Sequence, residues 1–312
     1  MTMPVLEVEG LSISFTQYDK GVRQRSLPVI RDLDLTIRPG QVVAVVGSSG
    51  SGKSLLAHGI LGILPYNARQ SGSIRYRGEP LTPRRAEELR GREIVLIPQS
   101  VGYLDPLMQV GPQIRKGRRD PASRARSREI LGRYHLGSEV EALYPFELSG
   151  GMTRRVLIST AVVEAPSLVI ADEPTPGLDP RSLHHIMDHF REIADSGAGL
   201  LLITHDLEAA LAIADRVAVF YAGETIEEAP ASDFAAEETL RHPYTRALWR
   251  AMPQHGFQPI PGAQPYPGAA PQGCPFLPRC PRRTAECGSA VPYRPVEGGF
   301  VRCLHPERGA GA

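Results

Sequence analysis

One octapeptide constrains this chain more than any other segment: Gly47-Ser48-Ser49-Gly50-Ser51-Gly52-Lys53-Ser54, which fits G-x-x-x-x-G-K-[ST]. It follows the apolar run Val42–Val46 and opens a helix-like stretch, Ser54–Leu64. In that setting glycines let the backbone curl so that successive N–H groups face phosphate oxygens, and the helix N-terminus adds partial positive charge. Lys53 then reaches the β- and γ-phosphates, and the Ser54 hydroxyl joins Mg²⁺. An incidental Lys-Ser in a glycine-rich turn would lack the flanking strand and helix. The octapeptide is read as a nucleotide site. Lys53 is also one of only three lysines, with Lys20 and Lys116, among 35 basic residues.

The surrounding pattern agrees with such a loop. Leu168–Ala171, Leu200–Ile203 and Val217–Phe220 join Val42–Val46 as short apolar runs of the kind buried on both faces of a parallel sheet. Helix-like stretches Thr153–Val163, Leu183–Ala194 and Leu207–Ala214 lie between them, which predicts an α/β, doubly wound arrangement. Leu6–Phe15 and Leu33–Ile37 alternate polar and apolar residues, as an antiparallel layer does. The basic stretch Arg115–Arg133 is assigned to a small helical insertion, about residues 100–152. Composition shifts near Pro253. The last sixty residues hold 12 Pro, 9 Gly and all four cysteines, so residues 1–252 are expected to form the body and 253–312 a loop-rich tail with little core of its own.

A second motif, Ser167-Leu168-Val169-Ile170-Ala171-Asp172-Glu173, ends an apolar strand in two acids at the sheet edge where open α/β sheets bind ligands. Asp172 is suited to hold Mg²⁺, and Glu173 to orient or polarise a water for attack on the γ-phosphate. Leu148-Ser149-Gly150-Gly151-Met152 supplies a third motif, a serine and two glycines before a helix, which makes another anion nest.

With these three motifs in order, the chain resembles the ATP-binding subunits of ABC transporters, whose signature reads LSGGQ or LSGGM. The resemblance runs from about residue 5 to 305. It implies a P-loop NTPase cassette: a RecA-like parallel core, an antiparallel β layer and a helical insertion, followed here by the cysteine-bearing tail. Under it, Ser149, Gly150 and Gly151 close on the γ-phosphate held by the opposite subunit. Gln99, in Ile97-Pro98-Gln99-Ser100, matches the loop linking Mg²⁺ and the attacking water to the membrane partner. Asp179, in Pro176-Gly177-Leu178-Asp179, matches the D-loop, and His205, in Ile203-Thr204-His205-Asp206, the switch histidine. Phe15 resembles the aromatic residue that stacks on adenine, with Tyr18 as its rival across the insertion Gln17–Leu27. Two departures stand out: Thr153-Arg154-Arg155 where the family has Arg-Gln-Arg, and Pro176-Gly177 where it has Thr-Ala.

Further likeness narrows the family to its peptide/nickel importer branch. His242-Pro243-Tyr244-Thr245-Arg246-Ala247-Leu248 followed by Pro253, and a tail carrying Cys274, Cys280, Cys287 and Cys303, resemble that branch's C-terminus. Leu61–Pro65, Arg69–Gly72 and Tyr144–Glu147 lean toward nickel importers. The cysteine spacings lack the C-x2–4-C pair of structural zinc sites. Thiolates with looser spacing, together with the resemblance, favour a [4Fe–4S] cluster, with zinc and free thiols as alternatives. Disulfides are not expected in a cytosolic chain.

Charge is balanced, 35 basic against 34 acidic residues, which argues against a nucleic-acid partner. No apolar run reaches the roughly 20 residues of a membrane span, and the N-terminus lacks a secretion signal. The expectation is an ATPase that powers bacterial import of peptides, or of nickel or metal chelates, from the cytoplasmic face of the inner membrane. The resemblance implies as partners a second ATPase subunit, a paralogue in preference to a second copy, two integral membrane permeases and an extracytoplasmic binding protein. The alternative is a soluble ABC-type ATPase of DNA repair or translation.

Overall fold

The computed structural model describes residues 3–18, 21–266 and 272–307. The chain begins with β1 (Leu6–Tyr18) and β2 (Gln24–Ile37), paired antiparallel, and β3 (Val42–Gly47) leads through the glycine-rich loop into α1 (Lys53–Leu61). Next come β4 (Ala68–Tyr76), β5 (Glu79–Pro80), α2 (Pro83–Leu89) and β6 (Ile94–Ile97). Three helices follow: α3 (Val110–Ile114), α4 (Pro121–Arg133) and α5 (Gly150–Val162). The chain then alternates β7 (Leu168–Asp172), α6 (Pro180–Asp195), β8 (Gly199–Thr204), α7 (Leu207–Leu211), β9 (Arg216–Tyr221) and β10 (Glu224–Pro230). It closes with α8 (Pro243–Arg250), β11 (Arg294–Val296) and β12 (Gly299–Val301).

Two sheets result. The larger runs β11-β12-β10-β9-β3-β8-β7-β6, with β9, β3, β8, β7 and β6 parallel. The smaller is antiparallel, in the order β2-β1-β4-β5. Every residue of β3, β7 and β8 is buried, which explains why these strands read as continuous apolar runs. Successive side chains still face opposite ways. Val42, Ala44 and Val46 enter a core shared with α5 and α6, while Val43 and Val45 enter a second core under α1 and the antiparallel layer. The expected insertion is present as α3 and α4, and Asp120 caps α4 by accepting the Ser123 N–H at 2.8 Å.

The loop-rich tail also carries two short strands. β12 pairs antiparallel with β10 at Glu227–Val301 and Glu228–Phe300, and β11 pairs with β12, so the tail extends the main sheet. Strand pairing satisfies backbone groups without needing a long apolar segment, which is why composition did not reveal it. Cys274, Phe276, Cys287 and Val291 join the first core. Arg302, buried, donates to the Asp32 carbonyl at 2.9 Å and pairs with the Asp32 and Glu224 carboxylates, tying the last strand to the first hairpin.

The start of α8 hangs on one buried acid. Glu227, on β10, is fully buried and accepts the Arg241 and His242 backbone N–H groups, each at 2.8 Å. Burial pushes its carboxyl up, opposed by those hydrogen bonds. Glu227→Ala leaves both donors unpaired and is expected to lower unfolding free energy by about 2–5 kcal/mol, with Glu227→Gln between it and the unsubstituted chain. Urea denaturation of the full chain measures this; an unchanged midpoint for the alanine variant contradicts the assignment.

Candidate active site

The parallel strands deliver their chemical groups to one edge. β3 ends at Gly47, and a Cβ there would collide with the Phe220 carbonyl oxygen on β9, so only glycine lets the loop turn off the sheet at this point. Gly50 and Gly52 take left-handed backbone angles, φ +77° and +100°, and Gly52 caps α1 without a side chain. Lys53 folds back over the loop, its Nζ donating to the Gly47 carbonyl at 2.8 Å and the Ser48 carbonyl at 3.1 Å. Burial pulls its ammonium down, and the Glu173 and Asp172 carboxylates oppose that shift. Ser51 Oγ is buried with no partner.

Asp172 ends β7 against this loop. Burial pushes its carboxyl up, the Ser54 hydroxyl opposes that, and Asp172 Oδ1 is buried without a hydrogen-bond partner. An orphaned carboxylate oxygen beside a hydroxyl is the donor set a hard divalent cation takes. Glu173 follows in a left-handed conformation, φ +47°, rare for a side-chain-bearing residue. Its N–H bonds to the Ile203 carbonyl on β8 at 2.8 Å, which holds the turn. Glu173 Oε2 then meets His205 Nδ1 at 2.8 Å. The carboxylate is buried and the imidazole over half exposed, so the pair presents a polar edge to whatever lies above the loop.

The other sequence-predicted residues have these surroundings. Gln99 is exposed just beyond β6, and Ser149 caps α5 by accepting the Met152 N–H at 3.4 Å. Gly150 and Gly151 have nothing within 4 Å of where a Cβ would stand, so this nest faces open space. Asp179 caps α6, accepting from the Arg181 and Ser182 N–H groups at 3.1 Å. Half-buried Phe15 packs on the second core; exposed Tyr18 borders a surface hollow of about 640 Å³ with Tyr66 and Arg69. Phe15 and Tyr18 thus differ in what they offer: one is committed to packing, the other presents a free ring.

Two contacts at this edge were not foreseen. Buried Arg154 donates to the Pro98 carbonyl at 3.0 Å and the Gln99 carbonyl at 2.6 Å, tying the helix after Leu148–Met152 to the Gln99 loop. Its signal was present in Thr153-Arg154-Arg155, read above only as a departure from the family. In the second contact, Ser48 Oγ donates to Gln264 Oε1 of the tail at 2.5 Å. A hollow of about 320 Å³ beside it is bordered by Gly47, His205, Tyr244, Gln264 and Arg279. No periodicity marks Gln264.

The four cysteines are free and come together around a small cavity of about 10 Å³ that His242 and His305 also line. Burial pushes the Cys274 thiol up to about 12 and the Cys303 thiol to about 11, and the neighbouring thiols add to both shifts. Among the described residues no three His, Cys, Asp or Glu side chains are close enough to hold a single metal ion. Cys274 N–H bonds to the Cys287 carbonyl at 2.9 Å, so two of the four positions are fixed by backbone.

Comparison with known proteins decides the family. A family profile described as ABC transporter matches residues 30–176, and one described as oligopeptide/dipeptide transporter, C-terminal region, matches 226–287. The oligopeptide transport ATP-binding protein OppD of Salmonella typhimurium is 35% identical over 321 residues, covering 97% of this chain and 94% of that one. The chain belongs to the ATP-binding subunits of ABC transporters. OppD of Mycobacterium tuberculosis is 37% identical over 313 residues, 93% of this chain and 49% of that longer protein. A solved ATP-binding subunit of an ABC transporter aligns with TM-score 0.61 at 26% identity, over 74% of this chain and 91% of that one. The dimeric bacterial ABC transporter cassette MJ0796 shares the fold, with TM-score 0.63 at 22% identity over 72% and 98%. This cassette is an ATPase, and no helix among its described residues is long and apolar enough to cross a membrane.

Glu173→Gln tests the hydrolytic edge of the cassette. The amide keeps the shape and a hydrogen bond to His205 but removes the carboxylate available to polarise water. ATP turnover is expected to fall about 10²–10⁴-fold while nucleotide affinity holds. Lys53→Ala is expected to weaken binding itself. Equilibrium nucleotide binding and steady-state hydrolysis, measured side by side, separate the two; turnover retained in Glu173→Gln moves the base elsewhere.

Proposed function

We propose that this cassette is the ATP-hydrolysing subunit of a bacterial peptide importer, working at the cytoplasmic face of the inner membrane. The observation that carries the reading is the Glu173–His205 contact at the lip of a loop whose lysine is already turned onto it. In this reading Gly47–Lys53 wrap the triphosphate, and Ser54, Asp172 and Gln99 hold Mg²⁺. Bound there, the cation would screen phosphate charge; Glu173 would orient water, with His205 fixing Glu173 and facing the γ-phosphate. Phe15 is the proposed adenine contact, Tyr18 its rival. The open nest Ser149–Gly151 and Asp179 would complete the site of a second ATPase subunit. The proposed partners are that subunit (a paralogue in preference to a second copy), two permeases and an extracytoplasmic binding protein. Peptide, and not nickel, stands in the names of the relatives reported above, and peptide is the solute class proposed. Residues 1–252 are taken as the ATPase domain, with the helical insertion at about 100–152, and 253–312 as its C-terminal extension.

The cysteine centre belongs to the same proposal. Cys274, Cys280, Cys287 and Cys303 are assigned as ligands of one [4Fe–4S] cluster, with zinc as the alternative. Four soft donors line one cavity, the ligand type such a group takes. The enclosed space is that of a single water, smaller as it stands than a cluster needs. Bound, the group cross-links the tail.

Two measurements test this. Affinity purification of the full chain from membranes is expected to bring down two integral membrane proteins, and added peptide with its binding protein to stimulate ATP turnover. Recovery without membrane partners favours the soluble alternative. Chain purified without oxygen is expected to be brown with about four irons. One zinc per chain retains the metal and removes the cluster, and metal-free chain removes both.

A further inference from the structure

Thr153, Arg154 and Arg155 follow the Ser149–Gly151 nest, and each donates to a main-chain carbonyl. Thr153 Oγ1 bonds to the Ser149 carbonyl at 2.9 Å, and Arg155 to the Gly151 carbonyl at 3.3 Å and, at the end of α4, the Tyr134 carbonyl at 2.9 Å. Those bonds stay between α4 and α5. Arg154 reaches from α5 to the main sheet instead. It is 5% exposed, and its two terminal nitrogens donate to the Pro98 carbonyl at 3.0 Å and the Gln99 carbonyl at 2.6 Å, just beyond β6. Its Nε is buried with no partner. An unpaired buried N–H costs about 1–3 kcal/mol, so the guanidinium sits where it serves the two carbonyls at the expense of its third nitrogen.

Those carbonyls belong to consecutive peptide planes, one on each side of the Gln99 Cα. A peptide unit is planar, so a bond to each carbonyl limits how far each plane turns. Together they set the direction of the Gln99 Cα–Cβ bond. Pro98 is buried and its ring already fixes its own φ, whereas Gln99 is exposed, so its main chain and not packing aims its side chain. Ile97 pairs with Ala171, so Gln99 and Asp172 leave the sheet from adjacent strand ends. We propose that Arg154 is a positioning residue for ATP hydrolysis, holding both peptide planes around Gln99 so that its side chain faces the edge where Asp172 ends β7. This role rests on the reading of Gln99 as a Mg²⁺ contact given above. A planar fork with fixed donors suits two neighbouring carbonyls, and a lysine ammonium, a single point of charge, does so less well. Because α5 begins at the nest, the same side chain joins Gln99 to Ser149–Gly151.

A double-substitution cycle separates positioning from packing. Arg154→Met keeps the length of the stem and removes both donors, Arg154→Lys keeps the charge without the fork, and Gln99→Ala removes the side chain being aimed. Each is made in the full chain, with R154M and Q99A also combined. Single-turnover ATP hydrolysis keeps slow variants readable. Affinity for Mn²⁺, titrated by electron paramagnetic resonance with a non-hydrolysable ATP analogue bound, is read independently of turnover. R154M is expected to lower the hydrolysis rate about tenfold while the ATP concentration for half-saturation stays within about twofold, because the phosphate loop is untouched. Mn²⁺ affinity is expected to fall about tenfold, with R154K between R154M and the unsubstituted chain. In the Q99A background R154M is expected to add less than about twofold to either loss. Undiminished losses from R154M in that background assign Arg154 to packing and overturn the proposal, as does R154M matching the unsubstituted chain. Q99A matching the unsubstituted chain in both measurements instead removes the Mg²⁺ reading of Gln99, and the proposal with it. Urea midpoints are recorded for every variant; should R154M fail to fold, R154K with and without Q99A makes the same comparison.

Discussion

Parallel pairing of β3 between β8 and β9 is the constraint on which the rest depends. It sets Val46 beside Thr204 on one side and Gly47 beside Phe220 on the other, so the phosphate loop, the His205 turn and the end of β9 leave the sheet at one level. β7, paired to β8 with Asp172 opposite Ile203, brings the carboxylates to the same level. The strand ends they mark, near residues 47, 172, 204 and 220, come from separate parts of the sequence. Their assembly costs backbone freedom at many positions, and the burial of β3, β7 and β8 on both faces offsets it. The two cores on either side of the sheet leave no room for a strand to slip by one residue without exchanging its faces.

The edge that results is electrostatically incomplete by itself. Lys53 is buried with only carbonyls to bond, Asp172 keeps one oxygen without a partner, and Ser51 Oγ has none. Each of these groups lacks a full set of partners within the chain, which costs free energy. Glu173 adds backbone strain of about 1–3 kcal/mol, held by its N–H bond to Ile203.

How much of this could be read beforehand follows from what each residue needs. Gly47–Ser54 and Asp172–Glu173 were legible because phosphate and cation chemistry fix residue type and spacing within one short segment. The buried strands were legible because two-sided burial writes an unbroken apolar run. β11 and β12 were not, since Arg294–Val296 and Gly299–Val301 are too short and too mixed to show a period, and β10, which β12 pairs with, itself reads Glu-Thr-Ile-Glu-Glu. Arg154 was visible as an unusual residue but not as the clamp on Pro98 and Gln99, because that role exists only once two distant segments meet. The four cysteines stood out by their confinement to the tail; only the fold puts His242 among them.

The tail's place in the molecule follows from the same contacts. Arg279, next in sequence to Cys280, donates to the Ile260 carbonyl at 2.9 Å, the Pro261 carbonyl at 2.7 Å and the Tyr221 hydroxyl at 3.1 Å. Tyr221 ends β9, one residue beyond the strand partner of Gly47, and the segment held by Arg279 continues to Gln264 on Ser48. Side-chain and backbone bonds therefore run from a cysteine to the phosphate loop through a single arginine. A segment with so little apolar surface could not pack against the sheet edge on its own, but three hydrogen bonds from one planar guanidinium fix its course at small loss of side-chain freedom. Anything that orders Cys280 orders that guanidinium, and through it the chain lying against Ser48.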